Sequence, residues 1–397
     1  MPIADILTGR PVHVIAVGKA AAAMASAFLA VRHMQVQQAL AIGTHTHPDL
    51  PTSVEWIESS HPFPDARSQV AGERAIAAAQ RVHSGDALVI LLSGGASALM
   101  AAPLDGISLA DKIETTKLMM ASGADIHALN TVRRHLSKVK GGRLAAACVG
   151  TTVTLAISDV VGDDLNVIGS GPGVPDATTW ADAAAALERF GGDAHLSEVR
   201  HVIARGVAGA IADTPKPGHA SLKRSQAMVI GSRADAMEGA RQAALARGYH
   251  SVVIAEPVTG EAREMAPRWL ARVQELTRAT PRPACVISSG ETTVRVTGTG
   301  RGGRNLEFAL AIAESMASPA ATAMASIGTD GIDGSSGVAG GIVDSTTMTR
   351  ASALNLDAPG NYLAANDSLA FFAPLDDVVR LGRTDTNVGD LQVILID

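Results

Sequence analysis

A chain of 397 residues, 47% hydrophobic and 18% charged, is long enough for two or three domains and apolar enough to bury a core, which excludes a disordered or fibrous protein. A balance of 33 Lys and Arg against 39 Asp and Glu gives a formal charge of −6, and three Trp, two Tyr and six Phe offer few stacking platforms, so nucleic acid is not an expected partner. No run approaches the roughly 18 apolar residues of a membrane span, the N-terminus lacks a charged segment followed by an apolar one, and Cys148 and Cys285 sit in apolar runs without metal-ligand spacing; a cytoplasmic protein is expected.

In chain order, short aliphatic runs at 12–17, 39–42, 88–92, 153–157, 228–230, 252–255, 285–287, 294–296 and 391–396 read as strands covered on both faces. Alanine-rich stretches of helical period lie between them at 20–32, 68–82, 181–190, 234–247 and 261–278. Strand alternating with helix indicates an α/β protein with mainly parallel sheet. The breaker-rich segment Asp213-Thr214-Pro215-Lys216-Pro217-Gly218 suggests a domain boundary, giving domains 1–215 and 216–397. The pair 285–287 and 294–296 resembles a hairpin and points to a mixed sheet in the second domain.

The first strand runs into Gly18-Lys19 and a helix, which places a lysine in the first turn, where free N–H groups and the helix dipole favour an anion. Lys19 there would contact phosphate or carboxylate, or else snorkel at the surface. The strand at 88–92 ends in Ser93-Gly94-Gly95-Ala96-Ser97, small residues that would let the backbone approach a ligand and offer its N–H groups. Neither loop matches GxxxxGK[ST] or GxGxxG.

Within 125–142, Leu129, Val132, Leu136 and Val139 recur at helical spacing as a buried stripe, with Arg133, Arg134, Lys138, Lys140 and Arg143 on the other faces or just beyond. Such a basic run reads as a solvated face or, because it ends in Lys140-Gly141-Gly142-Arg143, as a basic end bent toward a pocket. Carboxylates at Asp159, Asp163, Asp164, Asp330 and Asp333 follow strands, where an open α/β sheet has its crevice and a hard cation would suit them; Gly341 rules out an EF-hand. Four glycines and two arginines fill 297–305 before a helix at 306–317, which makes Gly302, Gly303, Arg304 and Asn305 candidate ligand contacts.

Taken together, Val17–Ala21, Ser93–Leu99, Asn130–Ala145 (NTVRRHLSKVKGGRLA), Ser158–Asp164 with Ser170-Gly171-Pro172, Gly290–Thr293, Gly302–Asn305 and Gly328–Gly334 resemble the class II glycerate kinases, whose C-terminal part is called the MOFRL domain. The resemblance implies phosphorylation of D-glycerate by ATP, at the 2-hydroxyl, with a divalent cation such as Mg²⁺. It implies two domains, a doubly wound N-terminal one and a mixed-sheet C-terminal one, with the active site in the cleft between them; homo-oligomerisation is left open. In that family the lysine and arginine matching Lys19 and Arg304 are regarded as essential.

Combined with the residue reading, the expected catalytic cations are Lys19 and Arg304. Gly18, Ser93, Gly94, Gly95, Ser97, Arg133, Lys140, Gly302, Gly303 and Asn305 are expected to contact substrate or phosphate. Asp159 and Asp330 are expected at the metal, with Asp163, Asp333 and Glu291 behind them. The sequence departs from the family pattern at Ala96 and Ser289, where glycine is usual, and at Leu306, where glutamine is usual. About ten residues precede the first strand, where relatives usually carry a further helical segment. Some relatives are labelled hydroxypyruvate reductases, an NAD(P)H-dependent alternative that the missing dinucleotide loop disfavours. A non-catalytic sugar-acid or nucleotide sensor is the third reading.

Overall fold

The computed structural model describes residues 3–31, 34–45, 50–317 and 321–397. The chain divides into two compact units, Met1–Ile230 and Gly231–Asp397. In the first, β1 (Pro11–Val17), β2 (Gln35–Gly43), β3 (Val54–Glu58), β4 (Ala87–Leu92), β5 (Thr151–Ile157) and β6 (Ser225–Gly231) form one sheet in the order β3-β2-β1-β4-β5-β6. The pairings that join β1 to β5 are all parallel.

Alternate residues of these strands serve two cores. Ile15, Val17, Ile90 and Leu92 pack with Ala71, Ala75 and Ala79 of the helix Ala66–Gln80, while Val14, Ala16, Val89 and Leu91 pack with Ala21, Met24 and Ala25 of the helix Ala21–Leu29. Burial on both faces is why the runs are continuously apolar. The helix expected at 20–32 is therefore present, its last position, Arg32, lying outside the described residues. A separate cluster around Met119, Val132, Trp180, Val199 and Ile203 holds the helices Leu109–Ala121, Ile126–His135, Trp180–Arg189 and Ser197–Val207 together.

The breaker-rich segment is not the boundary. Thr214 Oγ1 donates to Asp176 Oδ2 at 3.0 Å, Asp176 N donates to Pro215 O at 2.9 Å, and the next strand, β6, joins the N-terminal sheet beside β5. Residues 216–230 thus belong to the first unit, and the division falls fifteen residues later than the helix breakers suggest.

The second unit carries β7 (His250–Val253), β8 (Val258–Glu261), β9 (Ala284–Thr293), β10 (Thr322–Gly328), β11 (Gly340–Asp344), β12 (Val378–Val379) and β13 (Asp390–Ile396). Their order is β12-β11-β10-β13-β9-β7, with β8 also on β9. The sheet is mixed: β7 and β8 run parallel to β9, while β13 is antiparallel to both β9 and β10. The mixture does not come from a hairpin. Residues 285–287 lie inside the ten-residue β9, and 294–296 lie beyond its end, with Val296 73% exposed. Trp269 and Phe308, from the helices Ala262–Thr277 and Arg304–Ala311, pack with Phe371 and Phe372; Met237 and Ala244 of the helix Arg233–Ala246 cluster with Cys285 and Ile287. Among the described residues no helix is long and apolar enough to cross a membrane.

Candidate active site

The strand order turns back between β1 and β4, and at such a switch point the carboxyl ends of adjacent strands open a ligand crevice. The two small-residue loops both lie there. Ser93 N donates to Val17 O at 3.0 Å, Lys19 N to Gly94 O at 2.9 Å and Ala20 N to Ser93 Oγ at 3.0 Å. Gly18, at φ +131°, admits no side chain, because a Cβ would overlap Ser93. Lys19 consequently precedes the helix, which begins at Ala21, instead of occupying its first turn. A Cβ on Gly94 would overlap the Asp159 carboxylate, and one on Gly95 would stand 3.0 Å from the His61 ring and 3.5 Å from the Lys19 stem. His61 carried no sequence signal. Partial desolvation and the neighbouring Lys19 charge hold its imidazole below the usual value.

The basic run of 133–143 separates into distinct fates. Arg134 is buried against Asp176 at 3.2 Å, Lys138 pairs at the surface with Asp105 at 2.6 Å, and Arg143 donates to Ala212 O at 3.2 Å. Arg133 and Lys140 turn inward onto Ser97: Arg133 Nη2 donates to its Oγ at 2.6 Å, and Lys140 Nζ to its O and Oγ, both at 2.8 Å. Ser97 Oγ also meets Ser170 Oγ at 3.0 Å, which donates to Asn130 Oδ1 at 3.0 Å. The solvated-face reading therefore fails for Arg133, Arg134 and Lys140, because their partners lie far away in sequence.

Lys112, on the helix Leu109–Ala121, was not foreseen; within an amphipathic helix it looks like a surface lysine. Its Nζ is buried with no hydrogen-bond partner and lines a cavity of ≈ 350 Å³ with Ser97, Arg133, Lys140, Phe63, Ile113 and Leu129. Burial, with Arg133 and Arg143 adding to it, pushes Lys112 down to about 7; burial alone brings Arg133 to about 10. Lys140 is held well below its usual value by burial, then by Arg133 and Lys112.

In the second unit Arg304 is held from two sides. Its Nε and Nη2 donate to Asp390 Oδ2 and Oδ1 at 2.7 and 3.0 Å, and its Nη1 to Glu291 Oε1 at 3.0 Å. Burial opposes the guanidinium charge, but Asp390, with Glu291 and Asp333 behind it, outweighs burial and raises the pKa. Asn305 is spent internally: its Nδ2 donates to Asp390 Oδ1 at 3.0 Å and its Oδ1 accepts from Ser326 Oγ at 2.7 Å. The helix N-terminus expected to hold phosphate is already filled, since the Asp333 carboxylate accepts from Asn305 N at 3.0 Å and Leu306 N at 2.9 Å.

The glycines of 297–303 also have a packing cause. A Cβ on Gly298, Gly300 or Gly302 would overlap Ala365, Asp367 or Ser368, and one on Gly303 would overlap Asp333. Asn366 Oδ1 accepts from Thr297 N and Gly298 N, both at 2.8 Å. The loop is glycine-rich because it lies flat on a neighbouring segment. The departures at Ala96, Ser289 and Leu306 are likewise buried positions.

For a divalent cation, the described residues contain no group of three or more His, Cys, Asp or Glu able to hold one. Asp159 fits the alternative of a nucleotide-borne Mg²⁺, which commonly takes one or two protein carboxylates: glycine at 94 leaves its carboxylate room beside the loop. Asp330, in the other unit, accepts from Ile332 N at 3.1 Å, and Asp164 from Asn166 N at 2.8 Å. Asp333 is committed to its helix.

Residues 3–204 match the domain of unknown function DUF4147, and residues 284–390 match the MOFRL family. A D-glycerate 2-kinase of Thermotoga maritima is 36% identical, over 96% of this chain and 90% of its own length. A glycerate 2-kinase of Pyrococcus horikoshii is also 36% identical, over 97% of this chain and 87% of its own. A protein of Agrobacterium vitis with a provisional hydroxypyruvate reductase name is 38% identical over 96% and 86%. The crystal structure of the Thermotoga maritima glycerate kinase superposes with a TM-score of 0.88, covering 98% of this chain and 92% of that one. The chain belongs to the class II glycerate kinase family, a DUF4147 domain followed by a MOFRL domain.

Proposed function

We infer that the protein transfers the γ-phosphoryl group of ATP to D-glycerate. The observation that carries this reading, beside family membership, is the switch-point crevice, where Lys19, Asp159, the half-buried Arg133 and the buried Lys140 gather around two small-residue loops. We assign the 2-hydroxyl as acceptor from the names of the relatives. In the reaction the glycerate hydroxyl oxygen bonds to the γ-phosphorus, the bond to the ADP oxygen breaks and the hydroxyl proton is released. Charge gathers on the equatorial phosphoryl oxygens, so positioned cations lower the barrier. Lys19 supplies a point charge and Arg304, oriented by Asp390, offers the rest of its fork to phosphate oxygens. Asp159 and Asp330 are assigned to Mg²⁺, which when bound neutralises part of the nucleotide charge. Reduced, buried Cys148 and Cys285 support a cytoplasmic location.

Purified protein with ATP, Mg²⁺ and D-glycerate should release ADP and form a phosphoglycerate that enolase consumes without a mutase. NADH oxidation with hydroxypyruvate, and no ADP release with glycerate, would replace the kinase with the reductase reading. Binding of both ligands without turnover would leave a sensor.

A further inference from the structure

Lys112, Arg133 and Lys140 bring three basic groups to one buried place, and among the described residues none of the three forms an ion pair. A cation removed from water in this way is unfavourable until an anion answers it. The Lys112 ammonium can donate three hydrogen bonds and donates none among the described residues. The neighbouring donors are not laid out in a row: Arg133 Nη2 and Lys140 Nζ lie 2.6 and 2.8 Å from the same Ser97 Oγ. Such convergence suits one anionic group and is too compact for a polyphosphate chain. At ≈ 350 Å³ the cavity is at the small end of ligand pockets. Its apolar lining on the buried side, including Leu129 and the half-buried Ile113, strengthens a charge pair formed against it.

We propose that this cavity binds the carboxylate of the acceptor acid and that Lys112 is the residue that completes it, selecting a small hydroxy acid over a neutral polyol. The proposal rests on phosphoryl transfer to glycerate as read above. The depressed Lys112 pKa agrees with it, since the amine stands ready to take a proton when a carboxylate arrives. A lone phosphate group is the rival occupant of this cavity, so the test must separate the two.

Lys112→Met removes the amine and keeps the stem. The KM for D-glycerate should rise about 100-fold while the KM for ATP changes less than about twofold, and Lys112→Arg should recover part of the loss. Calorimetric titration with D-glycerate alone should show the same loss, and titration with inorganic phosphate should be unchanged. Lys112→Met should melt no lower than the wild type, because it loses a buried polar group that has no hydrogen-bond partner among the described residues; a merely structural lysine would lower the melting temperature. A glycerate KM within about threefold of wild type, an equal rise in the KM for ATP, or loss of phosphate binding in place of glycerate binding would overturn the proposal. If wild type turns over glycerate and Lys112→Met is unaffected, the subsite fails and the reaction stands. If wild type only binds glycerate and Lys112→Met abolishes that binding, the reaction fails and the subsite stands.

Discussion

Two regions take cations out of water and treat them in opposite ways. Arg304 is met by Asp390 and Glu291, which fix its fork before any ligand arrives. Among the described residues Arg133 and Lys140 meet Ser97 and Asn130, and Lys112 meets no hydrogen-bond partner. A paired cation is pre-oriented, and losing its partner damages the fold. An unpaired group strains the fold and gains when an anion enters, so its removal relieves the protein while it impairs binding. Charge count alone is therefore a poor guide to what a basic residue does.

The sharpest way to break this comparison is to remove one cation from each unit. Lys19→Ala and Arg304→Ala should each lower kcat by about 100- to 1,000-fold, roughly 2.7–4 kcal/mol, in steady-state assays. Only Arg304→Ala should also shift urea unfolding to lower denaturant, since it leaves Asp390 buried without its counter-charge. Losses under about fivefold in kcat/KM would return Lys19 to a surface role and Arg304 to a structural one.

Removing the acid partner tests the paired side directly. Asp390→Ala should destabilise the C-terminal unit by about 3 kcal/mol in denaturant titration, opposite in sign to Lys112→Met. If both substitutions destabilise alike, the contrast between the regions is false.

Gly94→Ala sharpens the role of Asp159. The added Cβ would displace that carboxylate, and the Mg²⁺ concentration for half-maximal activity should rise roughly tenfold with the fold intact by circular dichroism.

The smallest effect is in the pH dependence of unfolding. Burial pushes Asp333 up to about 6, against the Asn305 and Leu306 N–H groups that pull it down, with Asp390 adding to the rise. The folded chain then holds this proton more tightly than the unfolded one, so its stabilisation is full below pH 3.8 and is lost as pH rises through about 6. Asp333→Asn should flatten that part of the stability profile.

The parallel strands were legible because both faces of the sheet are covered, so each run is apolar throughout. The switch-point loops were legible for a related reason: Gly18 and Gly95 have positive φ, and only small residues allow the strand ends to close. The basic run was visible, but its direction was not, since Arg133 finds Ser97 36 residues away and Lys140 finds it 43 away. Lys112 gave no signal because its singularity is the absence of a partner. The 297–303 glycines also have a packing cause that the sequence could not show, their neighbours being Ala365, Asp367 and Ser368. The boundary was misplaced because helix breakers mark where a helix stops, whereas β6 shows where the sheet stops.

The stitching of the crevice reaches far along the chain. Ala20 and Ser93 are 73 residues apart, and so are Ser97 and Ser170. Chain entropy lost in closing such spans is recovered only when all the segments are present and packed. A nascent chain that stops before β5 therefore has no receptor for an anion, and a nicked or half-collapsed one loses it. An acid held by Ser97 and its cations would bind the finished unit and not its precursors, adding RT ln(1 + [L]/Kd) to stability. Substrate supply would then protect the chain against proteolysis, to the extent that Kd sets.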